Sequence, residues 1–72
     1  MNSYKTIDEY ISNFDADKQA VLEEMRAQIK SVVPSPGEKI AYGIPTITHK
    51  GKNLVHFAAY DGHYAFYPGG EP

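Results

Sequence analysis

The sequence predicts an α+β fold in which two N-terminal helices pack on an antiparallel β-meander of three strands, with a fourth strand allowed. Up to Pro34, apolar side chains recur at the intervals of three and four residues that are typical of helices. From Thr46 onward, β-branched and aromatic residues form short runs separated by glycine-containing turns. We therefore expect the helices to come first and the sheet to follow.

The composition bounds the size and the class of the protein. A chain of 72 residues is one small domain, and a domain of this size buries only about 60% of the surface of its unfolded form. The absence of cysteine excludes disulfides and thiolate metal sites. A net charge of −2 argues against general nucleic-acid binding. With neither a signal-peptide pattern nor an apolar run long enough for a bilayer, we expect a cytoplasmic protein without a membrane partner.

Two helices are predicted from their capping residues and apolar spacing. Thr6 and Glu9 form a capping-box pattern, which predicts a short helix over residues 7–13. Asp15 is a suitable N-cap for a second helix that continues to Val33. Pro34 ends this helix, because proline has no amide to donate and restricts the residue before it. The predicted apolar stripe of the second helix consists of Leu22, Met25, Ile29 and Val32.

The strands are predicted from turn signals and alternation. Residues 38–45 are interpreted as an ordered crossover, because Gly43 and Pro45 exclude a regular helix there. Strands are expected over residues 46–49, 54–60 and 63–67, joined by turns at residues 50–53 and at Asp61-Gly62.

Alternation along these strands assigns the side chains to two faces, if Gly51-Lys52 and Asp61-Gly62 form the loops. The face expected to pack on the long helix holds Val55, Phe57, Ala59, Tyr64 and Phe66. The opposite face is expected to hold Ile47, His49, Leu54, His56, Ala58, Tyr60, His63, Ala65 and Tyr67.

Several segments match a known family in order. Residues 38–46, 51–60 and 63–69, together with residues 7–11 and 21–30, resemble the YdhG-like family of uncharacterised bacterial proteins, a frataxin-like group. The resemblance covers roughly residues 6–70 and implies iron as a ligand, an iron-chaperone role and an iron-acceptor protein as partner. Family members usually continue beyond the Tyr-Pro-Gly segment, so we expect residues 1–72 to be a truncated version of a longer domain. An exposed sheet edge or face would then favour a homo-oligomer.

Two sets of side chains are candidate metal ligands. Frataxin-like proteins hold iron on carboxylates, and hard oxygen ligands of this kind lie on the second helix at Asp17, Glu23 and Glu24. His49 and His56 are predicted to be diagonal neighbours on one sheet face, and imidazole also suits iron. The alternatives are that the acids favour the helix N-terminus and a solvated helix face, and that the histidines are ordinary surface or half-buried residues.

The candidate binding residues for a protein partner are Tyr42, Tyr60, His63 and Tyr67. No cysteine, nucleophile elbow or phosphate-binding glycine motif is present, so we expect no enzymatic activity. Two functions remain from the sequence. One is frataxin-like iron binding and delivery through helical carboxylates, and the other is a non-catalytic interaction or self-associating module that uses the tyrosine- and histidine-rich sheet face.

Overall fold

The computed structural model describes residues 4–69 and has an α+β fold. Helices α1 (Ile7–Ser12) and α2 (Ala16–Val32) precede strands β1 (Gly37–Ala41), β2 (Ile44–His49), β3 (Lys52–Tyr60) and β4 (His63–Pro68). The strands form one antiparallel sheet in the order β1-β2-β3-β4, and the helices pack on one of its faces. Within this part of the chain, neither helix has the length and apolar character needed to cross a membrane.

Local capping explains where both helices begin. The Thr6 hydroxyl accepts a hydrogen bond from the Glu9 amide at 3.1 Å, and Asp15 accepts one from the Lys18 amide at 3.0 Å. These side chains satisfy amides that have no partner within the helix. Glu9 reaches back to the amide of Lys5, one residue before the position that a standard capping box uses.

The interpretation of residues 38–45 as a crossover was wrong, because this segment supplies the fourth strand and a tight hairpin. Tyr42 and Gly43 have φ values of 55° and 78°, the two positive values that a type I′ hairpin turn requires. Pro45 is tolerated in β2 because the ladder between β2 and β3 begins only at Thr46, paired with His56. Proline cannot donate to that ladder.

The predicted register of the next hairpin was also wrong. The loop is Lys50-Gly51, with φ values of 53° and 79°, so His49 pairs with Lys52 and Ile47 pairs with Val55 after a register shift. Ile47 is therefore fully buried on the helix-facing side. The register of β3 and β4 is as predicted, with Tyr60 opposite His63 and His56 opposite Tyr67. In the Asp61-Gly62 turn only Gly62 has a positive φ, not both residues.

The core lies between the helices and the centre of the sheet. Val32 of the predicted stripe is 78% exposed, and Val33 takes its place in the core. The reason is that the helix ends at Val32 and the chain becomes extended at Val33, with φ −105° and ψ 120°. The buried apolar cluster consists of Ile7, Tyr10, Ile11, Leu22, Met25, Val33, Ile47, Phe57 and Ala59.

Strand β4 lies beyond the main helix cover. The helices pack chiefly against β1, β2 and β3. Phe57 on β3 is completely buried, whereas its cross-strand partner Phe66 on β4 is 55% exposed. The expectation that Tyr64 and Phe66 would be sheltered by the long helix was therefore wrong. The sheet ends in a strand whose aromatic side chains meet solvent.

The Tyr10 side chain completes hydrogen bonding where the β2–β3 ladder stops. Its hydroxyl accepts a hydrogen bond from the buried Ala59 amide at 3.3 Å. The β2–β3 ladder has no pair beyond Thr46 and His56, so the Ala59 amide has no partner on β2. The Tyr10 hydroxyl takes the place of that partner. Burial raises the pKa of the Tyr10 hydroxyl above its ordinary value.

Candidate functional site: the open face and the outer edge of the sheet

The face of the sheet opposite the helices carries two aromatic clusters. In the first, His56 is only 6% exposed, and its Nδ1 lies 2.7 Å from the Thr46 hydroxyl on the neighbouring strand. The ring of Tyr42 packs edge-on against the His56 ring, with the ring centroids 5.6 Å apart. Since Tyr42 is 87% exposed, this cluster joins a buried imidazole to an exposed phenol.

The second cluster lies at the Asp61-Gly62 turn. The rings of Tyr60 and His63 stack with their centroids 5.0 Å apart, and the hydroxyl groups of Tyr60 and Tyr67 are hydrogen-bonded to each other at 3.2 Å. This hydrogen bond raises the pKa of Tyr60 to about 12. The structure therefore brings together Tyr60, His63 and Tyr67, and it places Tyr42 in the other cluster.

The histidines do not form the pair that the sequence suggested. His49 is an odd number of residues from Thr46 along β2, so it lies on the opposite sheet face from Thr46 and its partner His56. The His49 Nδ1 atom lies 2.8 Å from the Pro34 carbonyl oxygen. The prediction that His49 and His56 are neighbours on one face is wrong, because it assumed a regular ladder, whereas a bulge between Ile47 and Thr48 shifts the pairing by one residue.

The helical acids are also dispersed. Asp17 and Glu24 are two turns apart, which separates them by about 10 Å along the helix axis. Glu23 is hydrogen-bonded to Arg26 at 3.2 Å. Within residues 4–69, no group of three or more histidine or acidic side chains is placed to hold a metal ion.

The sequence analysis missed an ion-pair cluster that joins both helices to β1. Arg26 contacts Glu38 through two hydrogen bonds of 2.7 Å and contacts Asp8 at 2.8 Å. Lys30 also reaches Glu38, at 2.8 Å. The hydrogen bond to Arg26 is the main reason that the pKa of Glu38 falls to about 2, and the same bond raises the pKa of Arg26 further.

The outer edge of β4 presents backbone groups that have no partner within residues 4–69. Tyr60 and His63 close the turn, so their backbone groups pair with each other, and hydrogen-bonded and non-hydrogen-bonded pairs then alternate along β3 and β4. The bond from the Gly69 amide to the Leu54 carbonyl, 2.9 Å long, agrees with this alternation. The backbone groups of Tyr64 and Phe66 therefore point away from β3, toward solvent.

The two edges of the sheet differ in charge. Strand β1 carries Glu38 and Lys39, whereas the six residues of β4 include no Asp, Glu, Lys or Arg. Charged side chains are a common means of preventing strand pairing at sheet edges. Edge β1 is protected in this way and edge β4 is not. The exposed side chains Tyr64 and Phe66, which the sequence analysis placed in the core, make this edge apolar.

No protein-family model, no curated protein and no solved structure matches this chain. The resemblance to the YdhG-like family therefore stays a prediction, and the function is argued from the geometry of the sheet.

Proposed function

We propose that this chain is a non-catalytic module that associates with a second copy of itself through the outer edge of β4. The observation that carries the proposal is the combination of unpaired backbone groups and exposed aromatic side chains at Tyr64 and Phe66, on a strand without charge. An edge of this kind is a template for pairing with another strand.

An antiparallel, two-fold pairing centred on Ala65 would use every outward backbone group of residues 63–67. Tyr64 of one copy would then lie opposite Phe66 of the other, in both directions, and the two residues would exchange their hydrogen bonds. Such aromatic cross-strand pairs are favourable, and no like charges would meet. The Asp61-Gly62 turn and Pro68 limit the pairing to this short segment, so we expect a weak dimer.

Sedimentation equilibrium of the whole chain tests the proposal. We expect mass action between monomer and dimer, with a dissociation constant in the range of about 10 to 500 μM, as for a small interface. The substitution Phe66→Lys should weaken the dimer by at least about tenfold. It replaces an aromatic side chain at the interface with a charged one, directly opposite Tyr64 of the other copy. Val32→Lys is the matched control, since Val32 is even more exposed than Phe66 but lies on α2.

A wild-type chain that stays monomeric up to about 1 mM would refute the proposal. Equal weakening by Phe66→Lys and Val32→Lys would show that added charge, and not the β4 edge, controls association. Circular dichroism of both variants establishes that they remain folded.

The iron-binding role that the family resemblance implies stays a prediction. It can be tested by comparing ferrous-iron binding of the wild type with that of a triple variant in which Asp17, Glu23 and Glu24 are changed to their amides. Weaker binding by the triple variant would support the helical acids as ligands, and equal binding would remove them. The contact of Glu23 with Arg26 lowers its availability as a ligand, so the edge of β4 is the better-supported site.

A further inference from the structure

Two tyrosine side chains meet over the outer part of the open sheet face. The hydroxyl oxygens of Tyr60 on β3 and Tyr67 on β4 are 3.2 Å apart. Each tyrosine lies two residues from the cross-strand pair of Ala58 and Ala65, on opposite sides of that pair. The two side chains therefore lean toward each other over the alanines. Ala58 is completely buried although the helices pack on the other face of the sheet.

This contact brings the reactive carbons of two phenols close together. Oxidised tyrosines couple through the ortho carbons, which flank the ring carbon that bears the hydroxyl group. Hydroxyl oxygens 3.2 Å apart therefore place ortho carbons of both rings near each other. Tyr60 and Tyr67 are 37% and 40% exposed, so an oxidant can reach them. Exposed side chains also rotate fast enough to bring the two carbons into contact.

The other tyrosines in residues 4–69 do not combine exposure with a phenol neighbour in this way. Tyr4 and Tyr10 have ring centroids 5.4 Å apart, but Tyr10 is buried and its hydroxyl is bonded to a backbone amide of β3. Tyr42 is exposed and packs against a histidine. Tyr64 is three residues from Tyr67 along β4, so its side chain points to the opposite sheet face.

We propose that Tyr60 and Tyr67 form an oxidative cross-linking site, at which a haem peroxidase and hydrogen peroxide join the two rings as dityrosine. Each phenol gives up one electron and its hydroxyl proton, which leaves two phenoxyl radicals. The radicals form one carbon–carbon bond between ortho carbons. These carbons then lose their hydrogens as protons, and the two phenol oxygens regain protons from water. Hydrogen peroxide accepts two electrons and two protons and is reduced to two water molecules.

The fold favours coupling within one chain over coupling between chains, because it holds the two reacting rings together. The link would tie β4, the strand that the helices leave uncovered, to β3. It would close a loop around the Asp61-Gly62 turn, and a covalent cross-link of this kind restricts the unfolded chain. The site uses none of the outward backbone groups of β4, so it does not depend on the proposed dimer.

Peroxidase treatment of the whole chain tests the site. At about 1 μM protein, below the dissociation constant expected for the dimer, limiting hydrogen peroxide should give a monomer that has lost two hydrogen atoms and shows dityrosine fluorescence. Proteolytic cleavage before Asp61 separates Tyr60 from Tyr67 in the untreated chain, but the two peptides should stay joined after treatment. Tyr67→Phe should lower the yield of cross-linked monomer at least about tenfold, since the adjacent phenol is lost.

Tyr64→Phe is the matched control. Tyr64 lies on the same strand and is 39% exposed, almost as much as Tyr67, but it points to the other face. This variant should leave the yield of cross-linked monomer unchanged. Tyr42→Phe removes a more exposed phenol and should also leave the yield unchanged. Circular dichroism of the three variants establishes that each remains folded.

Equal losses of yield in Tyr64→Phe and Tyr67→Phe would overturn the proposal. So would a treated monomer whose peptides separate on cleavage before Asp61, or dityrosine that occurs only in products larger than the monomer.

Discussion

Replacing Phe57 by alanine should unfold most of the protein at room temperature or bring it close to unfolding. Phe57 is completely buried between the sheet and the helices, and deleting a buried phenylalanine ring costs about 3–5 kcal/mol of the free energy of unfolding. A chain of this length has a total stability on the order of 4–10 kcal/mol. The substitution therefore removes a large share of it, and urea denaturation followed by circular dichroism measures the loss.

Phe66→Ala is the matched control, because Phe66 lies directly opposite Phe57 in the sheet and undergoes the same chemical change. Since this side chain is more than half exposed, we expect a cost of only about 1 kcal/mol. Both variants should be measured at low concentration, so that self-association does not contribute. Equal costs would contradict the conclusion that the helices cover β3 but not β4.

Replacing Arg26 by methionine should lower the free energy of unfolding by about 2 kcal/mol at neutral pH, between the values for exposed and buried ion pairs. Arg26 is mostly buried and joins α1, α2 and β1 through Asp8, Glu23 and Glu38. Its removal leaves these three carboxylates near one another without their shared partner. Arg26→Lys should recover part of the loss, because an ammonium group keeps the charge but cannot form the two-pronged contact.

The same cluster predicts an acid-sensitive part of the stability. The pKa of Glu38 is about 2 in the folded protein against an ordinary value of 4.5. The stabilisation is therefore fully present above about pH 4.5 and is lost as the pH falls toward 2. In Arg26→Met the decline over this window should be shallower. Lys18→Met, which removes a cation without an ion pair in residues 4–69, should lower stability by less than about 0.5 kcal/mol and leave the pH profile unchanged. Equal losses at Arg26 and Lys18 would contradict a specific role for the cluster.

The features that could be predicted from sequence are those that depend on neighbouring residues. The capping side chains of Thr6 and Asp15 act on amides three residues away, so both helix starts were found. The two-residue loop at Asp61-Gly62 fixes the register of β3 and β4. The cross-strand pairs between β3 and β4 could therefore be predicted from the position of this turn.

The features that could not be predicted depend on turn conformation and on distant contacts. Tyrosine is uncommon at positive φ, so Tyr42-Gly43 gave no recognisable hairpin signal, and Pro45 argued against a strand. The β-bulge between the Ile47–Val55 and Thr48–Asn53 pairs has no sequence signal, and leaving it out placed Ile47 on the wrong face.

Two misses concern the site and its surroundings. The exposure of Phe66 depends on how many strands the helices can cover, which alternation does not encode. The contact of Arg26 with Glu38 crosses from α2 to β1 and has no local spacing signal. Self-association through an exposed sheet edge or face was expected from the sequence, but the predicted binding residues lie on the open face and do not include Tyr64 and Phe66.

Amide hydrogen exchange at individual residues of β4 tests the proposed edge pairing most directly. Comparison of samples at about 20 μM and about 1 mM should show slower exchange at Tyr64 and Phe66 in the concentrated sample, because their amides point outward. The Ala65 and Tyr67 amides, already bonded to β3, should be protected equally in both. Exchange at Tyr64 and Phe66 that is fast and independent of concentration would contradict pairing through this edge.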